Sequence, residues 1–198
     1  MKSLVLASAS AARAKILRDA GVCFESLPAA IDEGAIKSAC IEKGHTASEI
    51  AIRLAAEKAL QISSKQPDRH VVGADQILDL DGEIVSKCGT IAEARSLLGR
   101  LRGREHELVT AAVLAFGGEQ LWHCVTRCRL VMREFTDTFV ADYLRRTGSQ
   151  TLQSLGCYQM EGLGVQLFER IDGDHFSILG LPLIPLLATM RAHGLIQT

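Results

Sequence analysis

The segment HVVGADQILDL, residues 70–80, constrains the fold more than any other part of this sequence. It begins as an apolar run, which is typical of a buried strand. The dipeptide Asp81-Gly82 that follows predicts a tight hairpin, so that EIVSK (83–87) can return as an antiparallel partner. A buried strand with an antiparallel partner favours a mixed sheet over the all-parallel sheet of a doubly wound fold.

Strand and helix signals alternate along the rest of the chain, which predicts the α/β (mixed α+β) class. Further strands are expected at 3–7 and 23–28 and in two hairpins, 106–116 with 121–135 and 167–171 with 175–179. Helices are expected after Ser10, after the capping boxes that begin at Thr46 and Thr90, after Asp137 and after Pro182. The acidic stretch 31–34 is expected to be irregular.

The composition limits the number of domains and the kinds of partner that this chain can have. The 198 residues are 47% hydrophobic, enough for a core without disulfides or a structural metal, and we expect a single domain over 1–198. The formal net charge is −1 and no run of Lys or Arg exceeds two residues, which disfavours a nucleic-acid surface. The longest apolar run, residues 179–190, is shorter than the roughly 20 residues that span a bilayer, so no membrane partner is expected.

The six cysteines are typical of reduced thiols in a cytosolic protein. They lie at positions 23, 40, 88, 124, 128 and 157, and none of them forms a C-x-x-C pair. We therefore expect a cytoplasmic location.

The stretch LASASAAR, residues 6–13, leads from a short apolar strand into a helix. The N–H groups at a helix start favour an anion, the hydroxyls of Ser8 and Ser10 add donors, and Arg13 can pair with a phosphate. Taken alone, the pattern is better explained by a serine cap and a surface arginine, because the glycines and lysine of a P-loop are missing.

Asp75 ends an apolar run, where a carboxylate is costly unless it is used. It can bind Mg²⁺ or take a proton from water, or it can cap a neighbouring turn, and the sequence does not choose between these roles. Glu33, Lys58 and Lys87 each have an ordinary explanation as surface residues. Together with Arg13 they form a set that could hold a polyphosphate and a divalent ion.

These segments resemble the Maf family of nucleoside triphosphate pyrophosphatases. The matching blocks occur in the family's order: LASASAAR, Asp32-Glu33, RLAAEKA, VVGADQ, LDGEIVSK, GREHELVT, GCYQMEG and ILGLPL. The resemblance implies a strongly curved mixed sheet with flanking helices, in two lobes around a cleft, similar to the inosine triphosphate pyrophosphatases. It also implies hydrolysis of a triphosphate to the monophosphate and pyrophosphate with Mg²⁺ or Mn²⁺, housecleaning of unusual nucleotides, a cytoplasmic location and homodimers.

The resemblance also implies residue roles. Asp75 matches the proton acceptor and Glu33 an acidic residue that activates metal or water, so these two are the predicted metal ligands. The residues expected to line the triphosphate site are Ser8, Ser10, Arg13, Lys58 and Lys87.

Base recognition is expected from Gln76 and Glu161, which together resemble the branch of the family that acts on 7-methyl-GTP. A carboxylate only accepts hydrogen bonds, which suits the donors of guanine and the positive charge of its methylated ring. Ala12 departs from the family pattern at a position expected near the base, and Cys88 replaces the usual proline after Lys87. The alternative function is a nucleotide-binding regulator of septum formation with little catalysis.

Overall fold

The structure is a computed structural model that describes residues 3–197. The strands are β1 (Leu4–Leu6), β2 (Glu25–Ser26), β3 (His70–Leu80), β4 (Glu83–Val85), β5 (Glu105–Phe116), β6 (Glu119–Met132) and β7 (Phe168–Asp172). The helices are α1 (Ala11–Asp19), α2 (Glu33–Glu42), α3 (Ala47–Lys65), α4 (Ile91–Leu101), α5 (Asp137–Thr147), α6 (His175–Ile178) and α7 (Leu183–Ala192). Three 3₁₀ segments lie at Gly148–Gln153, Leu155–Cys157 and Leu163–Leu167.

The strands form one mixed sheet in the order β2-β1-β3-β5-β6-β7, with β4 paired to β3. β1 runs parallel to β2 and to β3. β4 runs antiparallel to β3, with Leu78 opposite Val85, as the Asp81-Gly82 turn predicts. The predicted mixed α/β class is therefore confirmed.

The chain divides into two compact units. The first contains Met1–Gln76, Val109–Thr126 and Asp174–Thr198, and the second contains Ile77–Leu108 and Arg127–Gly173. In the first unit, apolar side chains of β1, β3 and β5 pack against α1 and α7; Leu6, Leu17, Val72, Leu114 and Leu186 are members of this core. In the second unit α4 contacts α5. No helix in residues 3–197 is long and apolar enough to cross a membrane.

Several predicted helix starts are confirmed by their caps. Ser10 caps α1 through its hydroxyl, which accepts a hydrogen bond from the N–H of Arg13. Thr46 and Thr90 each form a complete capping box with the glutamate three residues later. α5 is capped by Thr136 and not by the predicted Asp137, since the Thr136 hydroxyl accepts from the N–H of Phe139.

The stretch 31–34, predicted to be irregular, instead starts a helix. The side chain of Asp32 accepts a hydrogen bond from the N–H of Ala35 and so caps α2, which begins at Glu33. The acidic residues that suggested a solvated loop are here the N-cap and a first-turn carboxylate, both of which stabilise a helix start.

The predicted strand 175–179 is also wrong, because this segment forms α6. Asp174 caps it, with its carboxylate accepting from both the N–H and the hydroxyl of Ser177. The preceding segment, β7, pairs with β6 instead, with Ile171 opposite Leu130. Asp172-Gly173-Asp174 is therefore a helix entry and not a hairpin turn.

Gly73 sets the distance between β3 and α3. A Cβ atom on this residue would lie 2.8 Å from the backbone nitrogen of Ala59 and closer still to the carbonyl oxygen of Ala55. Because side chains alternate along a strand, Gly73 and Asp75 face the same helix. The missing side chain lets α3 approach β3 closely enough for Lys58 to reach Asp75.

Replacing Gly73 with alanine is expected to lower the free energy of unfolding by about 1–3 kcal/mol, since the backbone of α3 must move to accept the methyl group. Chemical denaturation measures the change. Gly99→Ala is the matched control. A Cβ there meets nothing within 4 Å, so alanine in α4 should raise stability by about 0.5–1 kcal/mol. A Gly73→Ala variant as stable as the wild type would contradict the close approach.

Candidate active site

A buried ion pair lies at the centre of the candidate site. The Nζ atom of Lys58, on α3, is 2.5 Å from Oδ1 of Asp75 on β3. Lys58 is 6% exposed and Asp75 is 7% exposed. Lys58 is therefore not the surface residue that the sequence also allowed. A carboxylate and an ammonium held together in this way are costly to remove from water, and each depends on the other for compensation.

Helix α2 adds a second carboxylate and a second lysine. Oε1 of Glu33 lies 2.9 Å from Lys58 Nζ, so the ammonium bridges two carboxylates. Lys37 is one helical turn after Glu33 and interacts electrostatically with both Asp75 and Glu33. Burial lowers the pKa of Lys37, and the negative charges of Asp75 and Glu33 oppose that shift.

The loop between β1 and α1 brings both predicted serines to Arg13. The hydroxyl of Ser8 accepts from Nη1 of Arg13 at 3.3 Å and from the N–H of Ser10 at 3.2 Å. The hydroxyl of Ser10 accepts from the N–H of Arg13. The N–H groups of Ser10 and Arg13, which the sequence analysis considered as donors to an anion, are therefore hydrogen-bonded to the serine hydroxyls. The serine hydroxyls keep their own protons as donors.

Arg13 connects this loop to the carboxylates. Burial lowers the pKa of its guanidinium, and the charges of Asp75 and Glu33 oppose that shift. Arginine stays protonated in proteins, so Arg13 carries a positive charge. Three cations, Arg13, Lys37 and Lys58, therefore face two carboxylates, Asp75 and Glu33. The excess of positive charge suits a polyphosphate.

Gln76 follows Asp75 directly and so points to the other side of β3. Its Nε2 atom donates to the hydroxyl of Thr110 at 2.9 Å and to the carbonyl oxygens of Ser177 at 2.9 Å and Ile178 at 3.1 Å. Three residues after Ser177, the carbonyl oxygen of Gly180 accepts from Nε of Arg13 at 2.7 Å. Gln76 and Arg13 thus hold the same short segment.

The second unit carries the two remaining predicted residues. Lys87 is exposed just after β4, on a groove formed with residues of β4 and α4, including Glu83 and Glu93. Glu161 is exposed in the turn before the last 3₁₀ segment. Their predicted contacts with a nucleotide stay predictions, whereas the other predicted residues lie in the first unit.

Comparisons with known proteins agree with the motifs. A family model described as Maf-like protein matches residues 3–193. The chain belongs to the Maf-like family. A nucleoside triphosphate pyrophosphatase of Granulibacter bethesdensis is 48% identical over 190 residues, 96% of each chain. A 7-methyl-GTP pyrophosphatase of Brucella abortus is 44% identical over 188 residues, 95% of this chain and 94% of that one.

The fold was found to be similar to that of a solved structure. It is a nucleoside-triphosphatase, or dITP/XTP pyrophosphatase, of Mycobacterium abscessus that aligns over 98% of this chain with a TM-score of 0.42 and 16% identity. The assignment of 1–198 to one domain stays a prediction.

Two carboxylates of the site, Asp75 and Glu33, are candidate ligands of a divalent ion. Within residues 3–197 no group of three His, Cys, Asp or Glu side chains lies close enough to hold a metal. Mg²⁺, however, is commonly bound by one or two carboxylates together with substrate phosphates and water. The ion pairs to Lys58 use Oδ1 of Asp75 and Oε1 of Glu33, and each carboxylate has a second oxygen. These two residues fit a magnesium or manganese ion that arrives with a triphosphate.

Sequence reasoning missed Lys37 and Thr110. Lys37 could have been found from its spacing, because residues four apart lie on the same helix face as Glu33 once α2 is recognised. Thr110 carries no comparable signal. It is a fully buried threonine in an apolar strand, and its contacts with Gln76 and Ser177 depend on the tertiary fold.

Proposed function

We propose that this protein hydrolyses nucleoside triphosphates to the monophosphate and pyrophosphate. The observation that carries the proposal is the charged group in the first unit, where the buried Lys58 bridges Asp75 and the exposed Glu33, and Arg13 interacts electrostatically with both carboxylates. A proton acceptor and an excess of cations within one small region favour attack by water on a phosphoanhydride. The names of the relatives at 44–48% identity support the same reaction.

Each residue of the group has a role in the proposal. Asp75 takes a proton from the attacking water through its carboxylate. Lys58 orients the Asp75 carboxylate, and with Arg13 and the hydroxyls of Ser8 and Ser10 it neutralises and positions the phosphates. Lys87 is proposed as a further phosphate ligand.

Glu33 and Asp75 would hold the divalent cation, Mg²⁺ or Mn²⁺. When bound, the ion would polarise the phosphoryl oxygens and balance the charge of the leaving pyrophosphate. The fit is one of donor type, since carboxylate oxygens are the ligands that these hard cations prefer.

The proposed substrate is a guanine nucleotide modified at N7, recognised by Gln76 and Glu161. The relative in Brucella abortus is named for 7-methyl-GTP, which supports this assignment. The relative in Granulibacter bethesdensis carries the broader name, so other triphosphates belong in the test. A cytoplasmic location and a homodimer are proposed on the family resemblance alone.

A panel of triphosphates tests the reaction. We expect the purified protein with Mg²⁺ to convert 7-methyl-GTP faster than GTP, UTP, dTTP, ITP or XTP, and added inorganic pyrophosphatase to be needed for phosphate release. Chromatography of the nucleotide should show the monophosphate. Binding of the panel without turnover would favour a regulator and contradict the proposal, and release of a diphosphate would contradict the site of cleavage.

A further inference from the structure

The segment from Ser177 to Gly180, here called the Ser177–Gly180 turn, is held by side chains from two strands. Thr110, on β5, is fully buried, and its hydroxyl donates to the carbonyl oxygen of Ser177 at 2.9 Å. Gln76 donates to that oxygen and to the carbonyl oxygen of Ile178. Such a concentration of donors on a short segment fixes its position relative to β3 and β5.

The orientation of the Gln76 amide follows from these partners. Two of the three groups that face it are backbone carbonyls, which only accept hydrogen bonds. The third, the Thr110 hydroxyl, already donates to Ser177 and so accepts from Gln76. The amide nitrogen must therefore point at the turn, because the reversed amide would place its oxygen against two carbonyl oxygens.

The Ser177–Gly180 turn also binds Arg13. The N–H of Gly180 donates to the carbonyl oxygen of Ser177, the same oxygen that Gln76 and Thr110 contact. The carbonyl oxygen of Gly180 then accepts from Nε of Arg13 at 2.7 Å. Gly180 has φ +101°, and a Cβ there would lie 3.4 Å from Arg13 Nε, so the backbone passes directly beside the guanidinium.

We propose that Gln76 and Thr110 are positioning residues that orient Arg13 for the phosphates through the Ser177–Gly180 turn. Nε of Arg13 is hydrogen-bonded to Gly180 and Nη1 to Ser8, so the orientation of the planar guanidinium is fixed. The direction of Nη2 is fixed with it. The inference rests on the proposed function, in which Arg13 binds the triphosphate. It gives Gln76 a role in phosphate binding in addition to the base contact predicted from sequence.

The two roles of Gln76 differ in a measurable way. Substitution of a residue that only contacts the base changes the preference between nucleotides and leaves the Kd of a ligand without a base unchanged. Substitution of a residue that positions Arg13 weakens the binding of every polyphosphate to a similar extent. Inorganic triphosphate, which has no base, therefore separates the roles, with binding measured by titration calorimetry in the presence of Mg²⁺.

We expect Gln76→Leu to raise the Kd of inorganic triphosphate about 10-fold or more, and Thr110→Val to raise it about 3- to 10-fold, the size of one lost hydrogen bond. Thr110→Ser keeps the hydroxyl and should stay within twofold of the wild type. Thr126→Val is the matched control, since the Thr126 hydroxyl donates only weakly, at 3.4 Å, to the carbonyl oxygen of Thr110. It should also stay within twofold.

A double-mutant cycle shows whether the effect passes through Arg13. In an Arg13→Ala background, Gln76→Leu should change the Kd by less than twofold, because the group that it positions is gone. An unchanged Kd in Gln76→Leu and Thr110→Val, or fully additive effects with Arg13→Ala, would overturn the positioning role. Thr110→Val and its serine control decide the case if Gln76→Leu does not fold.

The outcome is distinct from failure of the proposed function. A wild-type protein that binds inorganic triphosphate but hydrolyses no nucleotide would overturn the enzyme activity and leave the positioning role supported or refuted by the variants. A wild-type protein that hydrolyses the nucleotides but does not bind inorganic triphosphate would overturn the positioning role and leave the enzyme activity standing.

Discussion

Asp75→Asn is expected to lower kcat by about 10²–10⁴-fold, the usual contribution of a general base. Asparagine has nearly the same shape, and its carbonyl oxygen can still accept from Lys58, so the fold should be retained. It cannot take a proton from water. Steady-state hydrolysis of the best triphosphate of the panel measures the loss, with thermal unfolding as the check on folding.

Asp79→Asn is the control for this substitution. Asp79 lies on the same strand, but its carboxylate accepts from the N–H of Gly82 in the hairpin turn. Its activity should stay within twofold of the wild type. If Asp75→Asn were equally active, Asp75 would not be the proton acceptor, and the carboxylate would serve only to hold Lys58.

Lys58→Met is expected to lower the free energy of unfolding by about 3–5 kcal/mol, because it leaves the buried carboxylate of Asp75 without its partner. The methionine matches the lysine stem in length, so the loss reports the charge and not the packing. Denaturant unfolding at neutral pH, without divalent ions, measures it. Activity should fall as well, since Lys58 also faces the phosphates in the proposed reaction.

Two further variants separate burial from charge. Lys58→Met combined with Asp75→Leu removes both charges and should recover most of the lost stability, since a buried pair replaced by apolar residues is often close to neutral. Lys15→Met breaks an exposed ion pair with Asp19, both 61% exposed, and should cost less than about 1 kcal/mol. A Lys58→Met variant no less stable than Lys15→Met would contradict the buried ion pair.

Local signals in the sequence predicted much of the fold. The boxes at Thr46 and Thr90 and the Asp81-Gly82 turn depend on residues within a few positions of one another, and all three are confirmed. The errors at α2 and α6 arose where an aspartate was interpreted as part of a loop although it is an N-cap. Short polar segments of this kind fit both interpretations until their tertiary contacts are known.

The candidate site was predicted less completely. Residue type and motif order identified Asp75, Glu33, Lys58 and Arg13, which the first unit brings together. The sequence did not predict that Lys58 is buried between two carboxylates, since its place on α3 also allowed exposure. That contact depends on the close packing at Gly73, a tertiary feature that the local pattern of β3 does not encode.

The most direct test of the account is hydrolysis in ¹⁸O-labelled water with mass spectrometry of both products. If the group around Asp75 directs water to the α-phosphorus, the label must appear in the nucleoside monophosphate, with none in the pyrophosphate. Asp75→Asn should suppress this labelled product while Asp79→Asn forms it at the wild-type rate. Label in the pyrophosphate, or a labelled inorganic phosphate with a nucleoside diphosphate, would contradict the account.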